Sequence, residues 1–283
     1  MVQFEEITTT PKFLTQFENK ILYTEHGADT SVSYKSTYTL KYVIEGTKYY
    51  NFNNEEVKVS KNQFLILNND KNIRTEALSG TKGLSFFLSQ KYISEIYSYH
   101  SNNDLSLEFF EISQTKTSNK IGNWLQRAAF LFKQDPIAFK SKKEDLLIQL
   151  SEILVTEQIT INDNFNSLKI IKHNTKQELY KSVSLAKECI NETISDQISL
   201  DSLSKNVGVS KYYLHRLFTG LIGKTPLEYI THTRIKKAKD ELQNSNKTVF
   251  ELAIECGFEN TSYFSNVFKK HTGYSPSQYR KLL

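Results

Sequence analysis

The chain has 283 residues, 39% hydrophobic and 24% charged, which fits about two domains folded around cores in water and excludes a collagen-like, mucin-like or wholly disordered chain. Its longest strictly apolar run, Ala128 to Phe132, is far short of the roughly 20 residues of a spanning helix, and MVQFEEITTT has no basic start leading into an apolar stretch; a cytoplasmic protein without a membrane span is expected. Net charge is +5, most of it in the last hundred residues, where 14 Lys and Arg stand against 10 Asp and Glu, a mild hint of an anionic partner, while two cysteines are too few for a disulfide framework or a multi-Cys zinc site.

From about Thr30 to Ser89 the hydrophobic period is near two. Tyr38 to Ile44, Thr47 to Asn53, Glu55 to Ser60, Gln63 to Asn68 and Leu84 to Ser89 read as strands. Glu45-Gly46, Asn53-Asn54, Lys61-Asn62 and the stretch at 68–72 supply the turns, and closely spaced strands of this kind make a small barrel or sandwich. The period then lengthens. Asn119 to Gln134 and Lys142 to Gln158 place apolar residues three and four apart and are expected as amphipathic helices, with Pro136 in the break between them. Asn-rich Ile159 to Asn174 reads as a linker, and Thr175-x-x-Glu178 as a capping box that opens the next helix. The expected division is 1–160, a linker at 161–174, and 175–283.

The last hundred residues contain a repeat. At an offset of 49, Leu203 meets Leu252 and Gly208 meets Gly257; one inserted residue makes the offset 50, and Tyr213 meets Tyr263, Phe218 meets Phe268, Gly223 meets Gly273 and Pro226 meets Pro276. Each copy, about 200–221 and 249–272, is a short helix, a glycine free to take positive φ, and a second helix with one apolar face, Leu214, Leu217, Phe218 and Leu221 in the first and Phe264, Val267 and Phe268 in the second. Thr225-Pro226-x-Glu228, Ser275-Pro276-x-Gln278 and Thr248-x-x-Glu251 are further helix starts. A short helix, a tight turn and a half-polar second helix make the helix-turn-helix unit that presents its second helix to the DNA major groove. The helix expected from Pro226 to Gln243, about 27 Å long, joins two such units, and adjacent major-groove segments on one face of a duplex lie about 34 Å apart.

From about Lys181 to Leu283 the sequence resembles the AraC family of bacterial transcription regulators, most specifically in GFENTSYFSNVFKKHTGYSPSQYR, Gly257 to Arg280. The resemblance implies seven C-terminal helices, two units on one face of promoter DNA, and regulation of transcription, most often activation, with RNA polymerase as a partner. It also implies that the strands and helices ahead of this module form a cupin-like sensing β-barrel, so that the whole chain is α+β. Asn266 departs from the pattern, standing where family members very often carry Arg, which takes away a phosphate or guanine contact. The polar side of the first recognition helix offers Lys211, Tyr212, His215, Arg216 and Thr219; the second offers Asn260, Thr261, Ser262, Ser265, Asn266 and Lys269, with Lys270 beside it. Arg216 is the expected base reader, because guanidinium grips guanine N7 and O6 together, and Lys211, Lys269 and Lys270 are expected on phosphates.

The first half carries no diagnostic motif. Its three histidines, His26, His100 and His173, are far apart, and no Gly-rich phosphate loop, GxSxG or HExxH string occurs, so neither an enzyme, a metal nor a cofactor is expected. The strand aromatics Tyr38, Tyr42, Tyr49 and Phe86 are candidates for lining a cavity for a small planar or apolar effector; ordinary core is the other role open to them. Control by a protein partner in place of a small molecule is the alternative, and a metal-dependent cupin enzyme a remote one. The helix at 142–158 either pairs with its copy in a homodimer or packs on its own strands, and Cys189 and Cys256 are expected as packing residues.

Overall fold

Asparagine, aspartate and glycine punctuate the strands because they tolerate the left-handed backbone a tight turn needs: Gly46, Asn53, Asn54, Asn62 and Asp70 all have positive φ. Two such residues in succession at Asn53-Asn54 are what a two-residue hairpin requires. The computed structural model describes residues 2–8, 19–101, 107–115, 120–168 and 173–282. The chain divides into two units, Met1–Asp163 and Asn164–Leu283.

The first unit runs β1 (Gln3–Ile7), β2 (Lys20–Glu25), β3 (Thr30–Ser36), β4 (Tyr38–Glu45), β5 (Thr47–Phe52), β6 (Glu55–Ser60), β7 (Gln63–Leu67), β8 (Lys71–Ala77), β9 (Lys82–Leu88), α1 (Gln90–Ser101), β10 (Ser113–Thr115), α2 (Lys120–Gln134), α3 (Pro136–Ser141) and α4 (Lys143–Ser167). The strands form two sheets, one of six strands in the order β1-β2-β9-β4-β7-β10 and one of four in the order β3-β8-β5-β6. Strand β1 pairs with β2 in parallel, and the other pairs are antiparallel.

Strand β4 shows how the layers stack, since Tyr38 to Val43 are all buried. Alternation sends Tyr38, Leu40 and Tyr42 into a core with Phe64, Phe86, Trp124, Leu125 and Leu150, beneath α2 and α4. Val43 faces the other way, into a second core with Tyr50, Val59, Leu65 and Ile73 between the sheets. The apolar stripe of α4, Leu146, Leu147, Leu150 and Leu154, lies in the first core, so of its two open roles it takes the one on its own strands.

Helix α4 also corrects the expected linker, because it runs on to Ser167. Thr, Ile and Asn are indifferent helix formers, but Phe165 is fully buried and Asn164 Nδ2 donates to Leu221 O at 3.1 Å, so tertiary contacts override propensity. Residues 169–172 of that segment lie outside the described residues.

The second unit continues with α5 (His173–Glu192), α6 (Leu200–Asn206), α7 (Lys211–Ile222), α8 (Pro226–Asn244), α9 (Val249–Glu255), α10 (Thr261–Thr272) and α11 (Pro276–Lys281). Helix α5 starts two residues ahead of the Thr175 box. The apolar faces of α7 and α10 are buried as their spacing predicts. Cys256 is in the core of the second repeat, where burial pushes its thiol up to about 11. Half-buried Cys189 accepts a hydrogen bond from Asn206 Nδ2 at 3.3 Å.

Candidate nucleic-acid interface

The repeat recurs in the backbone. After α6, Gly208 at φ 71 donates its N–H to Lys205 O and Val209 donates to Ser204 O; after α9, Gly257 at φ 79 donates to Ile254 O and Phe258 to Ala253 O. Both bonds match at the offset of 49. The six-to-one bond with a left-handed glycine inside it is a Schellman-type helix stop, which turns the chain at once into the next helix. Ser210 and Asn260 then cap α7 and α10, each side chain accepting from a backbone N–H three residues on, and Gly223 and Gly273 close them in left-handed conformations.

The boxes at Thr225/Glu228, Thr248/Glu251 and Ser275/Gln278 are all made, with Pro226 and Pro276 in the first turn. Helix α8 ties the two repeats together. Arg234 donates from Nε to Ile194 O at 3.0 Å and from Nη2 to Asp196 O at 2.7 Å, with its guanidinium against the ring of Phe258. Lys237 Nζ reaches Ser195 Oγ at 2.8 Å and Glu255 O at 2.7 Å. These two cations belong to the scaffold, and the sequence hides that: a Lys or Arg on a polar stripe looks the same whether it meets solvent or a neighbouring carbonyl.

The expected contact residues fall into three groups. Tyr212, 78% exposed, is on the outside of α7 with His215 and Arg216, and Ser262, Asn266, Lys269 and Lys270 are exposed on α10. Arg216, Lys269 and Lys270 have no ion pair or side-chain hydrogen bond among the described residues, so an anion meets them unneutralised. A second group is engaged within the fold: Lys211 pairs with Asp201 at 2.7 Å, and Asn260 Oδ1 accepts from the Tyr263 N–H. Lys211, with Lys205, holds the Asp201 carboxyl below its ordinary range. The third group is partly withdrawn. Thr261 and Ser265 are half-buried, and the hydroxyl of half-buried Thr219 is shut off from solvent. Exposed Tyr263, outside the expected residues, also lies on α10; its alignment with Tyr213 marks it in the sequence.

In the first unit, Tyr38, Tyr42 and Phe86 are core residues. Tyr38 Oη donates to Leu107 O at 2.8 Å, and Phe86 meets Trp124 edge-on. Tyr49 is half-buried. Among the described residues no cluster of three His, Cys, Asp or Glu side chains could hold a metal ion, and no helix is long and apolar enough to cross a membrane.

A family model described as a helix-turn-helix domain matches residues 203–282. The regulatory protein SoxS of Salmonella typhimurium is 34% identical over 96 residues, which are 34% of this chain and 90% of SoxS. The chain belongs to the AraC family of helix-turn-helix transcription regulators. Membership of this DNA-binding AraC family rests on the second unit, where the match lies. The bifunctional transcriptional activator/DNA repair enzyme AdaA of Bacillus subtilis is 35% identical over 128 residues, but the chain spans only 60% of AdaA. Among solved structures, the C-terminal domain of the response regulator AraT from Geobacillus stearothermophilus is 31% identical and aligns over 36% of this chain and 85% of its own, with a TM-score of 0.36.

Proposed function

We propose that this AraC-family chain regulates transcription, most often as an activator, by setting α7 and α10 into successive major-groove segments of promoter DNA, with RNA polymerase as its partner there. The observation that carries this reading is the matched pair of glycine stops, at φ 71 and φ 79, each feeding a second helix with an apolar inner face and an exposed polar outer one. Unneutralised Arg216, Lys269 and Lys270 add the positive charge that phosphates attract. The first unit, read as a cupin-like barrel, senses a small molecule and changes what the second unit does; it is a binding module and not an enzyme. A second copy completes a homodimer, for which exposed Phe130 on α2 and Ile137 on α3 offer apolar surface.

Operator selection from random duplexes tests the DNA reading. Selected sites should carry two short half-sites about one helical turn apart, roughly 10 base pairs centre to centre. A single half-site, or no enrichment over random duplex, overturns it.

A further inference from the structure

Between the two sheets of the first unit lies a cavity of about 30 Å³. Its polar lining comes from nine side chains on β2, β3, β4, β5, β8 and β9 and the turn after β2, six of which bear on what it holds: Thr24, His26, Lys41, Lys48, Tyr50 and Ser85. Strand alternation puts them there. Lys41 lies between Leu40 and Tyr42, which face the helices, so it faces the opposite sheet; Lys48 and Tyr50 flank Tyr49 in the same way.

Two lysines in such a place need an explanation. Lys41 and Lys48 are only 4% and 5% exposed, and no carboxylate lines the cavity. Lys48 Nζ donates to Thr24 Oγ1 at 2.8 Å. The Lys41 ammonium lies 4.2 Å from the Phe87 ring centre and 5.0 Å from that of Tyr34, and has no hydrogen-bond acceptor or ion-pair partner among the described residues. His26, 6% exposed, meets Thr30 Oγ1 through Nδ1 at 2.9 Å and leaves a buried Nε2 without a partner.

Burying two ammonium groups side by side without a counter-charge is heavily unfavourable, and apolar residues of similar size would fill the space without that penalty. Burial pulls Lys48 down to about 8 and Lys41 well below the usual lysine range, with repulsion from Lys48 adding to the latter.

We infer that the cavity is an anion site, taking the carboxylate head of a small organic acid between Lys41 and Lys48, with His26 and the Thr24 and Ser85 hydroxyls as further polar partners. The inference rests on the sensing role proposed above and names the chemical class sensed. At about 30 Å³ the space exceeds the roughly 10–15 Å³ that one water needs, so a head group the size of a carboxylate suits it better than a larger anion. The two ammonium groups then become the charge-assisted donors of those oxygens, which removes the penalty of their burial.

The test titrates the full chain at constant ionic strength with acetate, propionate and benzoate, with the matching neutral amides, and with inorganic phosphate, following Tm and heat of binding. An acid should raise Tm by several degrees at saturation while its amide does not. Lys41→Met and Lys48→Met should each weaken acid binding tenfold or more and raise the Tm of the ligand-free chain, a combination that misfolding cannot produce. Equal response to acid and amide, response to phosphate alone, no response to any acid, or unchanged acid binding by Lys41→Met overturns the assignment. The comparison of acid with amide on the unaltered chain decides the matter even where a variant fails to fold. Operator affinity, measured in the same solutions, separates this inference from the sensing role. If acids bind and operator affinity stays constant, the site stands and the sensing role falls. If a neutral compound changes operator affinity and no acid binds, the site falls and sensing stands.

Discussion

At Arg216 and at Lys269 the same charge is expected to do different work. A planar guanidinium grips two acceptors on one guanine and so discriminates sequence, whereas an ammonium on a phosphate adds affinity to every sequence alike. Arg216→Ala should cost about 1–3 kcal/mol on the selected operator and flatten preference at one base pair, while Lys269→Ala should weaken selected and random duplexes equally and reduce the salt slope by about 1. Fluorescence anisotropy across a salt series measures both, and equal losses for Arg216→Ala on the two duplexes would remove its reading role. His26 makes a separate prediction. Burial first, and Lys48 second, lower its pKa from 6.5 to about 4, so between those values the unfolded chain binds the proton that the folded chain refuses. Stability that is full above pH 6.5 is therefore lost as pH falls toward 4, by at most about 3 kcal/mol. Urea unfolding from pH 7 to 4.5 should show this slope, and His26→Gln should reduce it; an unchanged slope means the proton goes elsewhere.

The two glycine stops resemble each other in sequence and differ in surroundings. At Gly208 a Cβ would meet nothing within 4 Å, while at Gly257 it would lie 2.6 Å from Ile194 O and 2.9 Å from the Arg234 guanidinium. Gly208→Ala should thus lose about 1–2 kcal/mol, the left-handed strain alone, whereas Gly257→Ala must also displace the clamp of α8 on the 194–196 turn and should lose clearly more. Chemical denaturation of the two variants decides this, and equal losses would mean that the clamp yields freely. That difference was not legible in the sequence, where both positions read only as Gly after a short helix. What was legible followed from local chemistry: the caps at Thr225, Thr248 and Ser275, the turn at Asn53-Asn54, and the apolar faces of α7 and α10. Strand β8 escaped because Ile73 and Ala77 are its only buried residues, and α4 overran its expected end because Phe165 finds a core that no local pattern announces. The cavity lysines were hidden for a related reason. Lys41 on an otherwise apolar strand looks like a solvent-facing residue until the second sheet covers that face.

At the scale of the second unit, the proposed two-probe reading turns on α8, the long helix between α7 and the second repeat. Helix α8 has 19 residues, about 28 Å, is capped at its start by Thr225 and Glu228, and is fastened along its length by Arg234 and Lys237 to the 194–196 turn and the end of α9. A flexible tether would let the second probe search for its half-site; a fastened helix fixes the separation, so the second contact gains its effective concentration only when the duplex presents that half-site in phase. Inserting about 5 base pairs between the half-sites of the selected operator turns one of them to the opposite face of the duplex. Affinity should then drop to that of an operator with one half-site scrambled. Arg234→Ala, which removes both carbonyl contacts and the packing on Phe258, should narrow the gap between the in-phase and out-of-phase operators by loosening the connector. Anisotropy titrations of the chain and this variant on the three duplexes measure the effect. Equal affinity of the intact chain for the in-phase and out-of-phase operators would mean that α7 and α10 do not engage one duplex together.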